Sequence, residues 1–291
     1  MKNALHKLQS DLANNQGQPF NEVVKPIVEA KDFSVVELYF DGWNQQRVKT
    51  LLAAPQKPGT FPALVFAYPF SGDSDTDTFL SDAIQFARLG FVCLMIKVPF
   101  KRPAPFSLKL DYKKPKTVRA NYLQWIGDII RSYEYLAQMV NVQEERMGYI
   151  GRNLGAAISG LVTTIEPKVK AVAFQAGLPR LSQFWKAGDH WAVAKREEEI
   201  GKEGLEKLAN YIEDFDFLPA LPNTQCTNWL FQFGLQDEWI HKADIADIKE
   251  QAPANSQFIM HEDNHRMQSD KTTSDLQEWL LAQFYEEVEV E

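Results

Sequence analysis

The sharpest chemical feature of this sequence is the segment Gly151-Arg152-Asn153-Leu154-Gly155, where an apolar strand runs into a helix. The spacing Gly-x-Asn-x-Gly has the form of a nucleophile elbow, a tight turn that exposes one side chain at the end of a strand. The two flanking glycines are needed because strand and helix approach too closely for larger side chains. Ser, Cys and Asp are the side chains that act as nucleophiles at such a turn.

Asn153 changes what chemistry this turn can support. A carboxamide has no ionisable proton and is a poor nucleophile, so a covalent intermediate on Asn153 is excluded. Three interpretations remain. The amide donates to a carbonyl or an oxyanion while another group moves protons; or the site binds a ligand without turnover; or Asn153 replaces a Ser or Asp nucleophile and inactivates it.

The elements around this turn predict an α/β protein with a mainly parallel sheet of about eight strands and helices on both faces. Two extended segments flank the hairpin signal Asp41-Gly42, and short apolar runs then alternate with helical patterns. The predicted strands cover residues 33–40, 47–54, 63–68, 91–96, 147–150, 169–174, 229–233 and 257–261. The predicted helices cover residues 77–89, 118–140, 155–165, 242–251 and 274–285.

Two segments depart from this alternation. The first thirty residues read as a short helical or irregular lead-in. Residues 178–222 form an insertion with a strongly helical pattern, which we interpret as a small cap at the edge of the sheet. Because no linker or repeat divides the chain, we expect a single domain over residues 1–291 that carries this cap.

The chain resembles the α/β-hydrolase superfamily in the order of its motifs along the sequence, in particular the dienelactone-hydrolase-like and small esterase branches. The resemblance runs from about residue 33 to the C-terminus and rests on four motifs. The first is residues 66–72, which stand where the family has a His-Gly turn, and the second is the elbow at residues 149–156. The third is the acid turn at residues 231–238, and the fourth is residues 264–267, where the family carries its histidine. The resemblance implies the α/β-hydrolase fold, with Asn at the position of the usual Ser nucleophile.

The resemblance also implies roles for particular residues. His265 would be the general base, and Asp237 would orient it and stabilise its imidazolium; His261 and Glu238 are the rival candidates. The backbone N–H groups of Leu154 and Phe70 would form the oxyanion hole. This branch requires neither a metal nor an organic cofactor, and we expect none.

Aromatic residues of the cap and the acid turn are candidates for the substrate pocket. Trp185 and Trp191 belong to the cap segment, and Trp239 follows the acid turn; such rings could bind an acyl or aromatic group. The alternative is that they form the cap's own small core. The most basic stretch, residues 97–116, could offer Lys101 and Arg102 to an anionic substrate, but we interpret it as a solvated loop.

Composition excludes several classes of partner. The chain has 31 basic and 39 acidic residues, a net charge of −8, which argues against nucleic-acid binding. The longest apolar run, residues 91–96, is far shorter than a membrane helix. The polar N-terminus predicts no signal peptide, so we expect a cytoplasmic enzyme acting on a small ester, lactone or carbonyl compound. The sequence carries no signal for oligomeric state.

Overall fold

The computed structural model describes residues 9–10, 17–68 and 73–285 and is built around one nine-stranded sheet. The spatial order of the strands is β1-β2-β3-β5-β4-β6-β7-β8-β9. Their bounds are β1 Val23–Glu29, β2 Phe33–Asp41, β3 Arg47–Pro55, β4 Phe61–Tyr68, β5 Val92–Lys97, β6 Val142–Arg152, β7 Val169–Gln175, β8 Asn228–Gly234 and β9 Gln257–His261.

The strands divide into an antiparallel edge and a parallel block. β1, β2, β3 and β5 pair antiparallel in that order, whereas β5, β4, β6, β7, β8 and β9 pair parallel. The carboxyl ends of the parallel strands therefore meet at one edge of the sheet, which is where side chains from distant segments of an α/β chain come together. The mainly parallel sheet predicted from the sequence is confirmed.

Helices cover both faces of this sheet, as predicted. The α-helices are α1 Asp73–Leu89, α2 Pro115–Ala137, α3 Leu154–Ala157, α4 Ser159–Ile165, α5 Leu181–Ala187, α6 Trp191–Ile212, α7 Phe217–Ala220, α8 Lys242–Gln251 and α9 Asp270–Tyr285. Alternate residues of β4 divide between two cores because side chains alternate along a strand. Leu64 and Phe66 pack with α1 and α9, and Ala63 and Val65 pack with α2 and α4.

The lead-in was the least accurate prediction. Residues Val23–Glu29 form β1, which pairs antiparallel with β2 and gives the sheet its ninth strand, rather than a helical or irregular segment. Every residue of β1 is exposed, so the strand lacks the alternation of buried and exposed positions by which strands are recognised. Pro26 has no backbone N–H to donate. An edge strand accommodates it because one side of such a strand makes no ladder hydrogen bonds.

The segment predicted as a helical cap contains α5, α6 and α7. It is fixed to the body of the protein through α2, where the guanidinium of Arg119 lies 2.8 Å from the carboxylate of Asp214. Its aromatic side chains also reach the loop before α2, since the ring centroids of Trp185 and Tyr112 are 6.1 Å apart.

We expected residues 97–116 to form a solvated loop, but part of this basic stretch is buried. Arg102 is buried, and its Nη2 donates to the buried carboxylate of Asp128 on α2 at 2.5 Å. Asp128 also accepts from the backbone N–H of Trp43, so this ion pair joins three segments of the chain. A guanidinium committed in this way does not offer its charge to an anionic substrate.

Among the residues that the structure describes, no helix is both long enough and apolar enough to cross a lipid bilayer.

Candidate active site

The turn after β6 holds Asn153 in a strained backbone conformation. Asn153 has φ 52° and ψ −117°, a region that L-residues with a side chain rarely adopt and that costs of the order of 1–3 kcal/mol. Its N–H donates to the carbonyl of Gln175 on β7 at 2.9 Å, and its own carbonyl accepts from the N–H of Ala157 at 3.0 Å. The strain is thus held by backbone hydrogen bonds on both sides of the turn.

The two glycines of the motif are explained by close contacts of the backbone. A Cβ atom on Gly155 would lie 1.7 Å from the carbonyl oxygen of Ala67 on β4, and one on Gly151 would lie 2.7 Å from the backbone nitrogen of Ala156. The hydroxyl of Tyr149 donates to the Gly155 carbonyl at 2.7 Å and ties the turn to the strand. The sequence interpretation of these glycines is correct.

His265 and Asp237 meet beside this turn. His265 lies on the loop after β9 and Asp237 on the loop after β8, and Nδ1 of the imidazole is 2.9 Å and 3.0 Å from the two carboxylate oxygens. The Asp237 side chain is 1% exposed and that of His265 is 14% exposed. Because a carboxylate accepts only, the contact assigns the proton of the neutral imidazole to Nδ1 and leaves Nε2 as an acceptor.

Asn153 contacts that free nitrogen. Its amide Nδ2 lies within hydrogen-bond distance of His265 Nε2, so the amide N–H donates to the imidazole lone pair. Asn153, His265 and Asp237 therefore form one hydrogen-bonded line, in the order amide, imidazole, carboxylate. The arrangement places an amide donor beside a group able to accept and return a proton.

Backbone contacts fix the two loops that carry this pair. Asp237 accepts from the N–H groups of Trp239 at 2.8 Å and Ile240 at 3.2 Å, which orients its carboxylate. Asp263 anchors the histidine loop by accepting from the backbone N–H groups of Asn264 and Ser269. Burial opposes its charge, but these hydrogen bonds hold the pKa of Asp263 below its ordinary value. This anchor was not predicted from the sequence, although an Asp between β9 and the candidate histidine was a visible signal.

The predicted oxyanion hole is described only in part. Leu154 is the first residue of α3, where a backbone N–H has no acceptor within its own helix. Phe70, the second predicted donor, lies outside the described residues.

Polar residues next to the turn at Asn153 support it from the face of the sheet that α1 covers. Arg152 is buried, its Nε donates to the side-chain oxygen of Gln175 at 3.0 Å, and its Nη2 is 3.5 Å from the carboxylate of Asp82 on α1. Tyr68, in place of the family's histidine, stacks on Phe79 with centroids 3.6 Å apart and lies in the core on that same face. Arg152 and Tyr68 are therefore both buried beneath the turn.

The rival candidates occupy other positions. His261 is buried at the end of β9, where its Nε2 is 3.0 Å from the amide nitrogen of Gln232. Burial lowers its pKa. Within the described part of the chain, Asp237 is the carboxylate that hydrogen-bonds His265, and Glu238 instead lines a nearby cavity.

The three predicted pocket residues have different surroundings. Trp239 is half-buried, lines a cavity of about 300 Å³, and stacks on His265. Trp185 packs edge-on against Phe184 of α5, with centroids 5.2 Å apart, as a residue of the cap's own core would. Trp191 is 64% exposed, and its ring lies against His190. Of the three, Trp239 is the one brought to the candidate site.

Sequence comparison finds no relatives of this chain: no protein-family model matches it, and no curated protein matches it. The likeness lies in solved structures. The acetyl xylan esterase from Paenibacillus sp. R4 has a TM-score of 0.74 at 15% identity, covering 97% of this chain and 95% of that chain. Acetyl xylan esterase 1 from Thermoanaerobacterium sp. JW/SL YS485 has a TM-score of 0.69 at 16% identity, covering 96% and 92%.

A third structure is a putative dienelactone hydrolase from Klebsiella pneumoniae subsp. pneumoniae MGH 78578, with a TM-score of 0.62 at 14% identity, covering 88% of this chain and 99% of that chain. At these identities the likeness concerns the path of the backbone. Together with the strand order and the turn at Asn153, it assigns this chain the α/β-hydrolase fold.

Proposed function

We propose that this protein is an enzyme that performs acid–base chemistry on a small ester, lactone or other carbonyl compound without a covalent intermediate on residue 153. The observation that carries the proposal is the line Asn153–His265–Asp237, in which an amide stands at the nucleophile position while the proton-transfer pair is intact. The solved structures of similar fold are named as acetyl xylan esterases and a putative dienelactone hydrolase, which supports an ester or lactone substrate.

The proton path follows from the tautomer of His265. Its Nδ1–H is held by Asp237, so Nε2 is the basic atom, and a substrate or water must displace the Asn153 amide to reach it. When Nε2 takes a proton, the buried Asp237 carboxylate faces the resulting imidazolium and stabilises it. The displaced amide is then free to donate to the substrate's carbonyl oxygen, together with the N–H of Leu154.

Two reactions use this path with balanced bonds. In hydrolysis, the oxygen of water bonds to the carbonyl carbon and its proton passes to Nε2; the bond to the leaving oxygen then breaks, and that oxygen takes the proton back. In a lyase, isomerase or cyclase reaction, Nε2 takes a proton from the carbon beside the carbonyl, and the C–H electron pair forms the C=C bond of an enolate while the C=O π pair moves to the oxygen. The carbonyl then re-forms as the imidazolium returns its proton, to a substrate carbon in an isomerase or to the departing group in a lyase or cyclase. Both develop negative charge on the same oxygen, where the donors lie.

A second candidate is an esterase-type site that Asn153 has inactivated. The strained φ of 52° at Asn153 supports it, because such strain serves to present a nucleophile. This candidate predicts binding of esters without turnover by the native chain, as does a ligand-binding protein of the same fold.

The proposal is tested with a panel of three reactions: hydrolysis of p-nitrophenyl acetate, hydrolysis of dihydrocoumarin, and exchange of the methylene protons of acetylacetone in D₂O. The native chain is compared with His265→Ala and with Arg266→Ala, an exposed neighbour on the same loop that serves as the control. We expect at least one reaction to proceed with the native chain and the control and to fall about 100-fold or more in His265→Ala. Background rates for all three in the native chain would overturn the catalytic proposal.

A further inference from the structure

A cavity of about 300 Å³ lies between the cap and the loop that follows β8. That volume is at the lower end of the range for small-molecule sites. Phe184 and Trp239 supply aromatic walls, and Asp189, His190 and Glu238 add polar groups. Asn153 and His265 are not among the described residues that line it, so the cavity is suited to a part of the substrate away from the reacting carbon.

His190, a residue that lines this cavity, has a buried hydrogen-bond donor without a partner among the described residues. It is the N-cap residue of α6, and its Nδ1 accepts from the backbone N–H of Ala192 at 3.1 Å. An accepting Nδ1 places the proton of the neutral ring on Nε2. His190 is 8% exposed, and within the described part of the chain its buried Nε2 has no hydrogen-bond partner. A buried donor without an acceptor destabilises a fold, so an acceptor supplied by a ligand would remove that cost.

The ring of His190 is also coupled to the candidate catalytic group. It lies 3.9 Å from the ring of Trp239, centroid to centroid, and Trp239 in turn stacks on His265 at 4.7 Å. Burial first, and then the charge of His265, lower the pKa of His190, which keeps the ring neutral. Its Nε2–H is therefore a neutral donor, suited to an uncharged oxygen.

The charges around the cavity favour a neutral ligand over an anion. The carboxylates of Asp189, Glu238 and Asp244 line it. The guanidinium of Arg180, a basic group at the same cavity, is 2.6 Å from the carboxylate of Asp247 and is neutralised there. A ligand carboxylate would meet an excess of negative charge, whereas an ester, lactone or hydroxyl oxygen would accept from His190 without that penalty.

We propose that the cavity is a subsite for the non-reacting part of a neutral, oxygen-bearing substrate, and that His190 Nε2–H donates a hydrogen bond to a substrate oxygen there. This assignment rests on the proposed function for the identity of the substrate, but its binding geometry is independent of turnover. It makes His190 a specificity-determining residue of the cap, separate from the proton-transfer pair.

Three substitutions separate the donor from the capping role of the same side chain. His190→Asn keeps a good N-cap acceptor and loses the donor at Nε2. His190→Gln places an amide N–H near the position of Nε2 and loses the favourable cap. His190→Ala loses both. Binding of triacetin, a neutral triester, is measured by isothermal titration calorimetry, with citrate as the anionic comparison and thermal unfolding as the measure of the cap.

We expect the Kd for triacetin to rise about 3- to 10-fold in His190→Asn and His190→Ala, which is the loss expected for one neutral hydrogen bond. The Kd should change little in His190→Gln, which keeps a donor. The Tm should fall in His190→Ala and His190→Gln but not in His190→Asn. Citrate should bind more weakly than triacetin. A Kd that follows Tm across the three variants, or no triacetin binding by the native chain, would overturn the subsite. If binding depends on His190 while the native chain shows no turnover, the catalytic proposal fails and the subsite stands.

Discussion

The indole ring of Trp239 lies nearly parallel to the imidazole ring of His265, with centroids 4.7 Å apart and planes 12° apart. The same indole is parallel to the ring of Phe184 on the cap, with centroids 5.4 Å apart and planes 6° apart. Trp239 and Asp237 are two residues apart on one loop, so that loop both hydrogen-bonds the imidazole and stacks on it. The orientation of His265 is thereby linked to the position of the cap.

Trp239→Ala should lower kcat for whichever carbonyl substrate the protein turns over. An aromatic pair contributes about 0.5–1.5 kcal/mol beyond the area it buries, which corresponds to about a 2- to 12-fold loss. Trp239→Phe is the matched control, because it keeps a stacking ring and should retain most of the rate. If the two variants change KM alone and by equal factors, Trp239 lines the substrate pocket without positioning His265.

Gly155→Ala should destabilise the protein far more than Gly201→Ala. The added methyl would overlap the Ala67 carbonyl at Gly155, whereas Gly201 has open space and only its φ of 71° to oppose a side chain. We expect losses of about 3 kcal/mol for Gly155→Ala and about 1 kcal/mol for Gly201→Ala in the free energy of unfolding. Urea unfolding of both variants measures this, and equal losses would show that the turn at Asn153 is loosely packed.

Stability should fall as the pH drops below about 6.5, the ordinary pKa of histidine. Burial lowers the pKa of His261 in the folded chain, although Asp275 opposes the shift, so the unfolded chain binds the proton first. Stability then rises with pH through this window, by at most about 1.4 kcal/mol per pH unit for one histidine.

His261→Gln tests this directly, since glutamine does not titrate and can still accept from Gln232. Urea unfolding between pH 7.5 and 5 should give a shallower pH dependence for the variant. The lowered pKa of His190 acts in the same direction, so some dependence should persist. An unchanged slope in His261→Gln would mean that His261 does not contribute to the acid sensitivity.

Only the turn at Asn153 could be predicted from local sequence. Asn153 was assigned from the turn chemistry around it, and Asp237 and His265 from the resemblance to the α/β-hydrolase superfamily; the structure brings the three into one hydrogen-bonded line. Their catalytic roles remain predictions. Six parallel-paired strands and their helices were also predicted, because buried strands are continuous apolar runs.

Features that depend on distant or exposed segments were not predicted. The strand Val23–Glu29 is exposed along its length and gives no periodic signal. The partner of Arg102 is Asp128, which lies on a helix elsewhere in the chain. His190 lies in the predicted cap segment, but neither its capping bond nor its unsatisfied nitrogen can be read from spacing.

The most direct test of the account compares p-nitrophenyl acetate hydrolysis by the native chain and by Asn153→Ser, with the intact mass of each protein recorded during turnover. We expect a burst and an acetyl adduct on Ser in the variant, and neither in the native chain, because His265 and Asp237 are already arranged beside residue 153. An inert Asn153→Ser variant would show that this arrangement is not a working site. An acetyl adduct on the native chain at Asn153 would contradict the non-covalent mechanism.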